Sequence, residues 1–144
     1  KIEIVLNALE NKNQKITQGI FYNGQIYDAY AFINDLFKLA EKDISIIDNY
    51  TDDTIFTLCS KYQNINIVIF TQTISKQLEL DFKKYQKQYK NVELKINKNF
   101  HDRFLIIDEK EIYHLGASLK DLGNKVFAFS KLNINSFEFL EKLR

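Results

Sequence analysis

The 144 residues contain no proline, no tryptophan and no methionine, only four glycines, and a single cysteine, Cys59. One cysteine allows no intrachain disulfide, which excludes a disulfide scaffold and points to a reducing, cytoplasmic setting. The scarcity of glycine and proline excludes a collagen-like segment and any Pro/Gly-rich linker. No apolar run reaches the ~18 residues of a membrane span, and nothing at the N-terminus has the pattern of a signal peptide. An excess of one charge is also missing. Twenty basic and nineteen acidic residues leave a formal net charge of +1, so bulk basicity gives no argument for nucleic-acid binding. Without a methionine even at position 1, the chain is expected to begin inside a longer protein.

What is present is a core. Hydrophobic residues make up 45% and aromatics 14% of the chain, enough for one domain that buries roughly two thirds of its unfolded surface. Eighteen of the basic residues are lysine; the two arginines are Arg103 and Arg144.

Residues 1–27 read as an N-terminal approach segment and a hairpin. Ile2, Ile4 and Leu6 alternate like a strand, while Val5 and Leu9 also fit a helix. Asn23-Gly24 between apolar pairs is a two-residue hairpin signal. The domain proper is then expected over 28–144. Asp28 is placed as the N-cap of a helix over 28–42, whose Ala29, Phe32, Ile33, Leu36, Phe37 and Ala40 recur at helical spacing.

Ile44–Asp48 and Ile65–Phe70 are short and β-branched, as buried strands are. A second helix sits between them, capped by Thr51-Asp52-Asp53, with Cys59 on its apolar face. A Lys- and Tyr-rich helix over about 75–90 leads to a strand at Val92–Ile96. Strands follow at Phe104–Ile107, Ile112–Ala117 and Val126–Phe129, the first two joined by a tight turn at Glu109-Lys110. A last helix from Ser136 is expected to turn Phe137, Leu140 and Leu143 inward.

Helix–strand alternation implies a mixed, largely parallel sheet with helices on both faces, an α/β/α sandwich. Ligands in such sheets gather beyond the carboxyl ends of the parallel strands. Here those ends carry Asp48-Asn49-Tyr50, Thr71-Gln72-Thr73 and Asn97-Lys98-Asn99.

The residues that bear chemistry are His101-Asp102-Arg103-Phe104-Leu105-Ile106-Ile107-Asp108, followed by Gly116-Ala117-Ser118. His101 and Arg103 are two apart, so in a strand they share a face. Gly116-Ala117-Ser118 is small enough for a ligand to approach the backbone. A nucleophile, a fixed cation and a carboxylate near such a loop make a phosphoryl site.

This pattern resembles the signature of the phospholipase D superfamily, His-x-Lys-x4-Asp followed by Gly-Ser. The resemblance implies an α/β/α fold and metal-independent phosphodiester chemistry through a phosphohistidine, with no cofactor. It implies His101 as nucleophile or acid, Arg103 as the phosphate clamp and Asp108 as the group orienting the imidazole. With one motif copy per chain it implies a homodimer that brings two histidines together, with DNA or another phosphodiester as substrate. Ser118, Lys120, Asp48 and Asn49 are taken as substrate-binding residues.

The pattern departs from the family in three places: Arg103 for lysine, Ala117 for the first serine of the loop, and Leu119-Lys120 where an asparagine is expected. Arginine keeps the charge and adds a fork for phosphate oxygens, but differs in reach. These departures support a second reading, a catalytically degenerate dimerisation or sensing module beside a DNA-binding domain. Ile47–Tyr50, His101–Asp108 and Tyr113–Gly123 also resemble the C-terminal part of phage-type regulators that carry a KilA-N-like domain.

Plainer readings stand beside these. His101 could be an exposed loop histidine, Arg103 a surface partner of Asp102 or Asp108, and Asp108 a turn residue. His114 reads as a core or face histidine. Lys76 to Lys98 holds seven lysines against three acids, a phosphate-tracking face or a solvated helix with inward tyrosines. No His, Cys or carboxylate spacing resembles a metal site.

Overall fold

The computed structural model describes residues 17–143. Seven strands form one sheet: β1 (Gln18–Phe21), β2 (Asp43–Ile47), β3 (Asn66–Thr71), β4 (Val92–Ile96), β5 (Arg103–Ile107), β6 (Glu111–Leu115) and β7 (Phe127–Leu132). Four helices join them: α1 (Ile26–Lys38), α2 (Thr54–Cys59), α3 (Lys76–Gln88) and α4 (Ser136–Glu141). The readings of residues 1–16, including the Ile2–Leu9 pattern, lie outside the described residues.

The sheet order is β1-β7-β6-β5-β2-β3-β4. Helical crossovers through α2 and α3 make β2, β3 and β4 parallel. The connection over 97–102 holds no helix and returns the chain at once, so β5 runs antiparallel to β2, with Ile46 opposite Leu105. The pairs β5–β6, β6–β7 and β7–β1 are antiparallel as well. The sheet is therefore mixed but mostly antiparallel, which corrects the largely parallel expectation. Counting helix–strand units over-weighted the first half of the chain.

Strand alternation divides the core. Ile44, Ile46, Ile67, Ile69, Leu105 and Ile107 join Phe32 and Phe37 of α1, Phe56 of α2 and Tyr85 of α3 in one apolar cluster. Ile47, Phe70, Ile106 and Ile112 point the other way and join Leu140 of α4 in a second. Phe32 and Phe129 are fully buried with ring centroids 4.2 Å apart; such burial contributes ~1.5–3 kcal/mol per side chain. Cys59 is core, its thiol pushed up to about 12 by burial. The tyrosines here pack inward: Tyr85 of α3 donates to Asn91 Oδ1 at 2.7 Å and meets the half-buried Tyr89, the residue that caps the helix end, at 5.0 Å between centroids.

The Asn23-Gly24 hairpin is not formed. Gly24 turns the chain at φ 92°, and α1 starts at Ile26, because the residues beyond carry the period of a buried helix face. The strand before it, β1, pairs instead with β7, Phe21 opposite Phe127. Asp28 lies in the first turn of α1 and is not its cap, so a boundary at 27/28 falls inside a helix. On α4, Phe139 and Leu140 face the second cluster and Phe137 is 65% exposed.

Candidate anion-binding site

Five strands meet at one end of the sheet. The parallel strands β2, β3 and β4 end there, β5 begins there, and β6 returns there. Between the loops after β2 and β6 lies a cleft of about 520 Å³, lined by Tyr50, Arg103, Gly116–Ser118, Lys120, Asp121 and Asn124–Val126. It sits beyond the carboxyl end of β2, where ligands are expected in such sheets.

Arg103 is the first residue of β5 and is paired with Leu115. Its Nε–H donates to the Leu115 carbonyl at 3.3 Å and its Nη2–H to the Gly116 carbonyl at 3.0 Å. A guanidinium has five N–H donors, so two can fix its plane while others remain for an anion. Lys120 and Lys125 share the cleft. The lysine ammonium of Lys120 lies 3.3 Å from Asp121, the acid in the lining.

The loop behind this cleft is held by a buried carboxylate. Asp48 is 1% exposed. It accepts from the Ser118 hydroxyl at 2.7 Å, the Leu119 amide at 2.9 Å and the Tyr50 amide at 3.0 Å. Asn49 donates its Nδ2–H to the Phe100 carbonyl at 2.8 Å. These two residues join loops to one another, and Ser118 spends its proton on Asp48. Of the four residues expected to bind substrate, Lys120 and Ser118 line the cleft, while Asp48 and Asn49 stand behind it. Thr71–Thr73 and Asn97–Asn99 are not among the lining residues.

Gly116 is small for a different reason from the one expected. A Cβ on it would lie 2.8 Å from the Ala128 carbonyl oxygen, and its own N–H donates to that oxygen at 2.8 Å. Close approach of β7, not of a ligand, requires glycine here.

His101 lies in the bend before β5 begins, so the two-residue pleat rule does not extend to it. Its side chain is fully exposed, and Nδ1 stands 3.3 Å from Asp102 Oδ1. The other carboxylate oxygen of Asp102 is 3.1 Å from His114 Nε2. Hydrogen bonds from these two imidazoles, His101 first, hold the Asp102 carboxyl below its ordinary value. His114 rests edge-on against Phe104, on the sheet face opposite Arg103.

Asp108 is not brought to His101. It lies at the far end of β5, where its carboxylate accepts from the Glu41, Lys42 and Asp43 amides at 2.9, 2.8 and 3.1 Å. Burial pushes its carboxyl up, but these amides, with Lys110 nearby, outweigh that and leave it lowered. Asp108 and Glu109 have φ of 53° and 58°, the left-handed pair that a tight hairpin turn requires. The turn reading of Asp108 is the one that holds, and the carboxylate beside His101 is Asp102.

Sequence reasoning left out Asn124 and Lys125, which sit in the cleft eight and nine residues beyond Gly116. The signal available was the polar run Gly123-Asn124-Lys125 just before the apolar Val126–Phe129. Among the described residues no group of three or more His, Cys, Asp or Glu side chains could hold a metal ion. No described helix is long and apolar enough to cross a membrane.

No protein-family model and no curated protein sequence matches the chain. Solved structures do. NucT from Helicobacter pylori aligns over 86% of this chain and 89% of its own, at 16% identity and a TM-score of 0.59. The two chains share a fold. Phosphatidylserine synthase of Haemophilus influenzae Rd KW20 aligns over 88% of this chain and 36% of its own, at 11% identity and 0.57. TrmBL2, an archaeal chromatin protein with its own mode of DNA binding, aligns over 98% of this chain at 16% identity and 0.57. The present chain spans about half of TrmBL2, 55%.

Proposed function

We propose that this phospholipase D-like domain is a metal-independent, nuclease-like phosphodiesterase built on the α/β/α sandwich of its superfamily. The observation that carries the reading is Arg103. It is one of two arginines in a lysine-rich chain, and two carbonyls hold its guanidinium in a cleft with Lys120 and Lys125. A preorganised fork of this kind suits two phosphate oxygens. The likeness to NucT, a nuclease of that superfamily, supports the same reading.

In this reading a phosphodiester sits on Arg103 and His101 attacks phosphorus from the rim. The P–O bond to the leaving alcohol breaks as the N–P bond forms. A second His101, from a two-fold related copy, gives its proton to the leaving oxygen, and water then hydrolyses the phosphohistidine. Asp102 is the carboxylate placed to hold the attacking imidazole. The homodimer is part of the proposal.

One observation favours a second reading. His101 is turned out to Asp102 and does not line the Arg103 cleft. A domain that binds phosphodiesters without cleaving them, beside a DNA-binding domain, needs no more than the cleft. The match of nearly the whole chain to part of TrmBL2 supports it.

A fluorescent oligonucleotide incubated with the protein in EDTA separates the two. Cleavage that survives EDTA and disappears in His101→Ala establishes the enzyme. Binding that is lost in Arg103→Ala, with no cleavage across pH, establishes the binding module. Absence of both overturns the cleft itself.

A further inference from the structure

A second cleft of about 520 Å³ lies against the first. Its walls are Ile26, Tyr27 and Tyr30 of α1, Ile55 and Leu58 of α2, and Leu119 and Leu122. The partition between the two is the single 3₁₀ turn Leu119–Asp121, and Lys120 lines both sides. One side is cationic, with Arg103 and Lys125. The other is apolar.

Folding explains only part of this apolar side: Ile55, Leu58 and Leu122 are buried in the core cluster, and Ile26 and Tyr27 are not members of it. Ile26 is 54% exposed and Tyr27 78% exposed, on a helix whose inward face is already filled by Ala29, Phe32, Ile33, Leu36 and Phe37. Tyr30 is engaged, with Lys61 over its ring and on its hydroxyl, whereas Tyr27 offers a bare aromatic face.

We infer that the Tyr27 cleft is a nucleobase-stacking subsite, and that the occupant of the two clefts together is a nucleic acid strand with unpaired bases. The inference rests on the phosphodiester reading of the Arg103 cleft. A strand repeats an anion and a flat, largely apolar ring at short spacing. The two clefts repeat the same pair of chemistries across one turn of backbone. Lys120 is placed to meet the phosphate between a base on Tyr27 and a phosphate on Arg103. In a duplex the bases face each other and cannot enter. Aromatic faces take any base, so the subsite selects strandedness before sequence.

The position of Gly123 supports a built junction. Its N–Cα lies so close to α1 that a Cβ would stand 2.4 Å from the Ile26 Cα, and its carbonyl accepts from the Gly24 amide at 3.0 Å. The loop that carries Lys120, Asn124 and Lys125 is thereby fixed to the helix end that carries Tyr27.

The test measures binding of fluorescein-labelled dT12, of a twelve-unit abasic backbone with the same phosphates, and of a duplex. Each is titrated with wild type, Tyr27→Ala and Arg103→Ala. Stacking of a base is worth ~5- to 150-fold in affinity, so wild type should prefer dT12 to the abasic strand by a factor in that range. Tyr27→Ala, a change at an exposed position, should erase the preference and leave abasic binding unaltered. Arg103→Ala should weaken both strands. If wild type binds dT12 and the abasic strand equally, the base subsite is overturned and the phosphate cleft stands. If no strand binds, both fall. Binding to anionic phospholipid vesicles that Tyr27→Ala abolishes, or a protein dimer that it dissociates, would assign the apolar cleft to a lipid or a second copy and overturn the inference.

Discussion

The Ser118 hydroxyl donates to the buried Asp48 carboxylate at 2.7 Å, joining residues seventy positions apart and closing the loop after β6 onto the loop after β2. The same carboxylate takes the Leu119 and Tyr50 amides. Replacing Asp48 by alanine leaves buried donors unsatisfied, each at a cost of roughly 1–3 kcal/mol. Asp48→Ala should lower the urea midpoint at unchanged m-value. Ser118→Ala should cost less, and the double variant less than the sum, because the two share one hydrogen bond. Strict additivity would mean that the pair is not coupled in solution.

Asp108 makes a prediction about acid. Its carboxyl is lowered below its ordinary value of 3.8 in the folded chain. A carboxylate lowered by folding contributes stability above the unfolded value, and that contribution is lost as pH falls through the folded one. Asp108→Asn keeps a residue that tolerates the left-handed conformation and removes the charge. It should cost roughly 1 kcal/mol at pH 7. The deficit should shrink below about pH 4, where wild type protonates too. Asp43, raised first by burial and then by Glu109 and Asp108, gains from the same substitution and trims the cost. Urea midpoints of both proteins at pH 7 and pH 3 check this, and equal midpoints at pH 7 would contradict it.

Most of the elements were legible in the sequence because their apolar periods are clean, and Val92–Ile96 falls where it was expected. Two kinds of fact were not. The sheet's direction depends on how the connection over 97–102 returns, and that connection carries no period at all. The roles within the motif depend on where β5 begins. Starting at Arg103 and not at His101, it leaves the histidine outside the pleat and sends Asp108 to the opposite end. Spacing along a chain places residues on a face only while the ladder lasts. The cleft itself was half legible: Arg103, Ser118 and Lys120 stood in the motif, while Asn124 and Lys125 come from a loop that only the fold brings back.

Two of the three motif departures, Arg103 and Ala117, can be reversed one residue at a time. Arg103→Lys keeps one charge but cannot donate in one plane to the Leu115 and Gly116 carbonyls and still fork an anion. Oligonucleotide affinity should fall by roughly tenfold or more, in line with the ~1.5–3 kcal/mol of a charge-assisted hydrogen bond. Ala117→Ser adds a donor in the lining and should raise affinity or turnover in the Arg103 protein. A gain of activity in Arg103→Lys with Ala117→Ser, over either single variant, would show that the native pair had drifted from catalysis together. No change in any of the three would remove both positions from the site.

Two glycines beside the cleft test how rigid it must be. At Gly116 a methyl meets a backbone carbonyl of β7 at 2.8 Å, with no unusual φ. The strand end can yield a little, so Gly116→Ala should cost the ~1–3 kcal/mol of overpacking. At Gly123 a methyl meets the Ile26 backbone at 2.4 Å and φ is +78°, a conformation that also disfavours any L side chain. Strain and collision add, and neither neighbour is the end of a flexible side chain. Gly123→Ala should therefore be the more damaging of the two. Its damage should be local, since of residues 119–126 Leu122 alone is buried in the core cluster, with Leu119 packed against its edge. Amide exchange should quicken over 119–126 and at the start of α1, while the protection of β2, β3 and β5 persists. Loss of protection across the whole sheet would mean instead that the loop is integral to the core.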